Sequence, residues 1–267
     1  MTLIIGIKCA DGIVVGSDGA ATYMTVLGQS RTITQPTPKL IAIGEQVIVG
    51  VSGSVGLCQS YCHEIEPLVK NRNNLAPWKT VAEARRFLQE NLWKHAQVSW
   101  QRAEVVAKTV GPHAMQEALN QTIVAFPVGN DSHLLQLNHQ CQPEEATANL
   151  PFIAIGSGQP TADPFLAFIR RVLWPSNTPS LKDGVFAVTW ALDYSIKAQP
   201  GGIAEPMQIM VLEKPGDRWK LRELSEDELG QHKQMIKTMD DEFPNFLKKI
   251  FSEPPSQPIP VAPSQNT

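Results

Sequence analysis

The sequence predicts an α+β domain built as a four-layer αββα sandwich, two β-sheets inside and helices on both outer faces. Three observations carry this expectation. The chain starts as an apolar strand, Leu3-Ile4-Ile5-Gly6-Ile7, where a terminus not tied into a sheet would be frayed. Short β-branched runs return in hairpin-like pairs bounded by turn residues. Stretches of helical periodicity separate those pairs, and helices that bury one stripe against sheets that bury a face stack as layers.

In chain order, Leu3 to Ile7 reads as the first strand, Ala10-Asp11-Gly12 as a turn, and Ile13-Val14-Val15-Gly16 as the returning strand running into Ser17-Asp18-Gly19. A second hairpin follows: Lys39-Leu40-Ile41-Ala42-Ile43, a Gly44-Glu45-Gln46 turn, then Val47-Ile48-Val49-Gly50-Val51 ending at Ser52-Gly53-Ser54. Val55, Leu57, Cys58, Tyr61, Cys62, Ile65 and Leu68 recur at helical intervals. After a loop around Leu75-Ala76-Pro77-Trp78, residues from Thr80 to Lys108 read as a long helix through Val81, Ala84, Leu88, Leu92 and Ala96. Residues 121–126 and 133–137 form a strand pair about a Gly129-Asn130-Asp131 turn, and Leu150 to Ile155 is another strand. Helices are expected from Phe165 to Leu173 and from Val185 to Lys197, and strands over 206–212 and 218–221. Ser225-Glu226-Asp227-Glu228 resembles a capping box and opens a charged helix reaching Phe251. Residues 252–267 are rich in Pro and Ser and read as an extended tail, or as an arm toward a neighbouring subunit.

Composition narrows the function. A chain of 267 residues with 42% hydrophobic content supports one large domain or two small ones. A net charge of −3 makes no electrostatic case for nucleic acid or an anionic membrane. No run approaches a membrane span, and the N-terminus lacks the basic region and long apolar core of a secretory signal. Cys9, Cys58, Cys62 and Cys141 do not read as a disulfide framework in a chain this long, which points to the cytoplasm. Cys58 and Cys62 lie one helical turn apart beside His63; a buried helix face is the common reading, a metal site the rarer one. No cofactor is expected, and no Walker-type phosphate loop occurs.

Thr2 is the most informative residue. A small residue behind Met1 is of the kind that usually loses its methionine. The exposed threonine would then carry both a hydroxyl and a free α-amine, nucleophile and base in one residue. The α-amine suits the task, because its ordinary pKa of about 7.7–8.0 lets it take the hydroxyl proton near neutrality. Further along stand Gly16-Ser17-Asp18-Gly19-Ala20-Ala21-Thr22, Pro38-Lys39-Leu40, Val51-Ser52-Gly53-Ser54 and Ile155-Gly156-Ser157-Gly158. Singly, these read as a strand-ending turn, an edge-strand lysine, a helix start and a strand-to-helix turn. Their occurrence in one order behind Thr2 carries more weight than any one of them.

In that order the sequence resembles proteasome β-type subunits, the heat-shock-locus V peptidase and the smaller bacterial proteasome homologues. The resemblance spans roughly residues 2–215 and is most specific over 2–60. It implies the N-terminal nucleophile hydrolase fold over residues 2–222, with a helical extension at 223–251 and a tail at 252–267. It implies catalytic roles for Thr2 as nucleophile, Lys39 as the charge favouring neutral amine and ionised oxygen, and Asp18 as partner of Lys39. Gly53 would give its backbone N–H to the oxyanion, and Ser157 would relay the amine's proton. Ala21, Thr22, Thr37, Val51 and Val55 would line the substrate pocket, small or apolar and suited to medium apolar side chains.

Two departures stand out. The stretch between Thr22 and Lys39 is longer than in the family. Gln199 and Gly202 fall where relatives often carry an Asp and a Ser, and Asp193 lies too early to replace the former. The resemblance further implies a homo-oligomer of stacked rings acting on peptide or unfolded protein, with any ATPase unfoldase a separate chain. Two alternatives stay open: an amidohydrolase on a small amide, and a catalytically silent ring or scaffold subunit.

Overall fold

The computed structural model describes residues 2–24, 30–33, 38–70, 77–198 and 202–252. Two five-stranded antiparallel sheets lie face to face. The first has the order β10-β1-β2-β11-β12, built from β1 (Ile4–Lys8), β2 (Gly12–Ser17), β10 (Phe152–Ile155), β11 (Gln208–Glu213) and β12 (Lys220–Glu223). The second runs β5-β6-β7-β8-β9, from β5 (Leu40–Ile43), β6 (Val47–Ser52), β7 (Gln121–Val128), β8 (Asp131–Leu137) and β9 (Pro143–Glu145). Helices α3 (Gln159–Leu173) and α4 (Leu181–Ala198) cover the first sheet, and α1 (Val55–Lys70) and α2 (Val81–Val110) cover the second.

Strand alternation sorts side chains into three apolar layers. Leu3, Ile5, Ile7 and Val14 face α3 and α4, together with Leu166, Ile169, Val188 and Leu192. Ile4, Ile13 and Val15 face the other way and fill the space between the sheets with Ile48, Ile123, Ala125 and Leu134. Val49, Val51, Val124 and Leu135 meet Leu57, Tyr61, Ile65 and Val69 of α1 and Leu88, Leu92 and Ala96 of α2. Strand β1 is thus buried on both faces, which explains its unbroken apolar run. Each fully buried Leu or Ile of this strand contributes about 1.5–3 kcal/mol relative to exposure. The four-layer sandwich expected from the sequence is the observed architecture.

Helix starts lie upstream of the apolar periodicity. The α2 start is a capping box: Thr80 Oγ1 accepts the Glu83 N–H (3.1 Å), and the Glu83 carboxylate accepts the Lys79 N–H (2.9 Å). Helix α4 begins at Leu181 rather than Val185. There Ser180 Oγ accepts the Asp183 N–H (3.3 Å) while the Asp183 carboxylate accepts the Ser180 N–H (3.1 Å). Helix α3 opens at Gln159 with Pro160 in its first turn rather than at Phe165. In each case the polar first turn is invisible to a periodicity of apolar residues. The box expected at Ser225 is present, with Ser225 Oγ accepting the Glu228 N–H (3.3 Å) and Glu228 accepting the Ser225 N–H (3.0 Å). It opens α5 (Glu226–Ser252), which packs on α4. The long stretch before Lys39 contains an additional hairpin, β3 (Ala21–Met24) with β4 (Ser30–Ile33). A 3-10 helix (Pro112–Ala118) and β9 are further elements that the sequence reading did not include. Among the described residues, no helix is long and apolar enough to cross a membrane.

Candidate active site

The β1–β2 hairpin places the start of β1 and the end of β2 side by side, with Ile4 opposite Ser17. Asp18, the next residue, is fully buried. Its Oδ1 accepts the Leu3 N–H (2.8 Å), and its Oδ2 accepts the N–H groups of Ala20 (3.1 Å) and Ala204 (3.4 Å). Lys39 Nζ completes the set by donating to Oδ1 in a salt bridge. A buried carboxylate is tolerated when it is paired and hydrogen-bonded in this way. One of its donors belongs to the residue bonded to Thr2, so Asp18 fixes the start of the chain as well as the lysine.

Lys39 precedes β5 and belongs to the other sheet, yet it is only 9% exposed and reaches the first sheet through Asp18. Its strand is tied across by the Gln208 side chain, whose Oε1 accepts the Leu40 N–H (3.1 Å). Burial pushes the ammonium pKa below the ordinary lysine value of 10.5, and the Asp18 charge and hydrogen bond oppose that fall only in part.

Thr2 is clamped by the turn between β10 and α3. Its backbone nitrogen donates to Ser157 Oγ (3.1 Å), and its carbonyl accepts the Gly158 N–H (3.2 Å) and the Ser157 hydroxyl (3.4 Å). That nitrogen is a peptide nitrogen joined to Met1, and it stands where the free amine of a processed chain would lie. Gly156 has φ +94°, and a Cβ there would run into the Thr2 carbonyl and the Ser52 hydroxyl. Ser52 ends β6, so the stretch leading into Gly53 lies against the Thr2 clamp. Gly53 itself has φ +134°, and a Cβ would meet the Leu119 carbonyl, which explains the glycine at this strand-to-helix corner.

Thr2, Asp18, Lys39 and Ser157 therefore form two hydrogen-bonded pairs joined through the Thr2–Leu3 backbone. Val51 (8% exposed) and Val55 (63% exposed) flank Gly53. Ala21 and Thr22 lie in β3, where the backbone alone is described, and Thr37 lies outside the described residues, as does Gln199. Asp193 is paired with Lys197 one turn along α4 (2.7 Å), not with the Thr2 clamp. Gly202 (φ +90°) leads into Ile203 and Ala204, and Ala204 meets Asp18 and Gly19 through its backbone. Cys58 and Cys62 pack partly buried against the α1–α2 core, His63 is exposed, and all four cysteines are free. Among the described residues, no group of three or more His, Cys, Asp or Glu is arranged to hold a metal ion.

Sequence reading missed the side chains that act through backbone groups. Gln121 Oε1 accepts the Gly156 N–H (3.1 Å), Gln208 ties the Lys39 strand, and Ser52 lies beside Gly156. None stands in a motif, and a glutamine opening or entering a strand carries no distinguishing signal.

The family model described as proteasome subunit matches residues 2–168. No curated protein matches the chain. Several solved structures share the fold at low identity. The structure titled Helical Assembly of the Anbu Complex from Pseudomonas aeruginosa has a TM-score of 0.66 at 16% identity, covering 96% of this chain and 99% of that one. Anbu (ancestral beta-subunit) from Yersinia bercovieri has a TM-score of 0.58 at 15% identity, covering 97% and 100%. Anbu from Hyphomicrobium sp. strain MC1 has a TM-score of 0.59 at 14% identity, covering 97% and 100%.

Proposed function

The chain belongs to the proteasome subunit family, and on that premise we propose that it is a threonine peptidase, cutting polypeptide through Thr2 once Met1 has been removed. The observation that carries this is the double clamp on the chain start. Ser157 holds the Thr2 nitrogen, and fully buried Asp18 holds both the Leu3 N–H and Lys39.

With Met1 gone, the Thr2 amine accepts the hydroxyl proton as the oxygen attacks the scissile carbonyl. The Lys39 charge favours the neutral amine and the ionised oxygen, and Asp18 keeps that charge in place. Ser157 Oγ, in contact with the nitrogen, relays the amine's proton to the leaving amine. The Gly53 N–H stabilises the tetrahedral oxyanion. Water then releases the acyl group from Thr2. Val51 and Val55, with Ala21, Thr22 and Thr37, form the pocket for the residue before the scissile bond, which favours medium apolar side chains.

A nucleophile that cuts unfolded polypeptide needs sequestering, so the active form is a cytoplasmic homo-oligomer enclosing its Thr2 residues. A relative's title records a helical assembly, so both an open helix and closed stacked rings are forms this chain can take. Any ATP-driven unfoldase is a separate chain.

Hydrolysis of fluorogenic peptides by the purified assembly tests the reading. Cleavage after Leu should exceed cleavage after Lys or Glu, and Thr2→Ala should abolish both. Faster cleavage after a charged residue contradicts the pocket assignment. Turnover of small amides by a monomer or dimer, with no peptide cleaved, moves the assignment to an amidohydrolase. An inert assembly that retains Met1 moves it to a silent scaffold subunit.

A further inference from the structure

We propose that Gln121 is a positioning residue for the Thr2 nucleophile, the second of two links that hold the halves of the site in register across the sheets. The inference rests on the threonine-peptidase assignment. The halves come from different sheets. Thr2, Asp18 and the Gly156-Ser157-Gly158 turn belong to the first, and Lys39 and Gly53 flank strands of the second. The first link is the Lys39–Asp18 pair.

Gln121 makes the second. As the first residue of β7 it pairs with Ser52 of β6, the residue before Gly53. Its side chain crosses to the other sheet, where Oε1 accepts the Gly156 N–H (3.1 Å). The Gly156 turn in turn grips Thr2 at its nitrogen and its carbonyl. One amide side chain thus connects the backbone beside the oxyanion glycine to the turn that orients the nucleophile's amine. Without it, the Gly156 N–H loses its acceptor and the turn loses its tie to β6 and β7, while the Asp18 clamp on Leu3 is untouched. The expected defect is in orientation rather than in substrate binding.

The test uses the full-length assembled protein and two variants. Gln121→Met keeps the length of the side chain and removes the acceptor, whereas Gln121→Glu keeps an acceptor oxygen. Gln121→Met should lower kcat roughly 10–100-fold with KM within about twofold, because small misplacements of reacting groups cost rate rather than affinity. Gln121→Glu should restore kcat to within about threefold of wild type, since an accepting oxygen is again present. Amide hydrogen exchange over residues 152–158 should quicken in Gln121→Met alone, with unfolding temperature unchanged. Wild-type kcat in Gln121→Met, equal loss in both variants, or unaltered exchange at the Gly156 turn overturns the inference. A wild-type protein without peptidase activity, but with quickened exchange in Gln121→Met, refutes the peptidase assignment and upholds the positioning link.

Discussion

Asp18 and Lys39 concentrate the site's energetics in one buried pair, and their chemistry sets the first predictions. Asp18 has four donors, so replacing it with Ala strands Lys39 as an unpaired buried charge; losing one member of a buried pair costs about 3–5 kcal/mol. Denaturant unfolding of Asp18→Ala should show that loss, and a change under 1 kcal/mol (about a third of the smallest expected effect) would argue against a saturated buried pair. The lowered pKa of Lys39 gives a pH signature. The unfolded chain binds this proton more tightly than the folded one. Its contribution to stability therefore rises as pH climbs from the depressed folded value to 10.5. Catalysis needs the charge and falls over the same window. The alkaline limb of kcat/KM should thus lie below 10.5 and vanish in any Lys39→Arg variant that retains turnover. A wild-type limb at or above the ordinary lysine value contradicts this role. At this scale the motif residues were legible because their order along the chain is distinctive. Gln121, Gln208 and Ser52 were not, because what marks them is a backbone partner on another strand.

Glycines and caps decide how the elements meet. A Gly156→Ala substitution must place a methyl against the Thr2 carbonyl and hold a non-glycine residue at φ +94°. Strain of this kind costs about 1–3 kcal/mol. The variant should melt lower and lose hydrolysis together, and full activity in a correctly folded Gly156→Ala protein would show that the turn does not fix Thr2. Ser225→Ala removes the acceptor of the Glu228 N–H at the start of α5 and should cost about 1 kcal/mol in thermal unfolding. Peptide hydrolysis should be unaffected, because α5 packs on α4 outside the site. Strand periodicity made β1, β2, β5 and β6 legible, since each alternates between two apolar layers. The β3–β4 hairpin escaped because Tyr23-Met24 and Ser30-Arg31 show no apolar alternation over strands of four residues. Helix starts were read late at α3 and α4 because their first turns are polar.

The whole molecule explains why the chain start is the centre of the site. Strand β1 is sandwiched between β10 and β2 in one sheet and buried against the other, so Thr2 emerges from the most constrained strand in the domain. The two sheets bring Lys39 and the Gly53 corner to the same end. Layering was legible in the sequence, but the register between sheets was not. It depends on side chains such as Ile4, Ile48 and Leu134 meeting across a gap between strands far apart in the chain. At this scale the protein should sediment as a homo-oligomer of many copies, and a monomer across the micromolar range would contradict the enclosed-chamber account. The central claim is that Thr2 is a free, reactive N-terminal nucleophile. Intact mass of the purified subunit, before and after a peptide vinyl sulfone, tests it most directly. The account predicts loss of Met1 and one covalent adduct that is absent from Thr2→Ala. Retained Met1 with no adduct would contradict it.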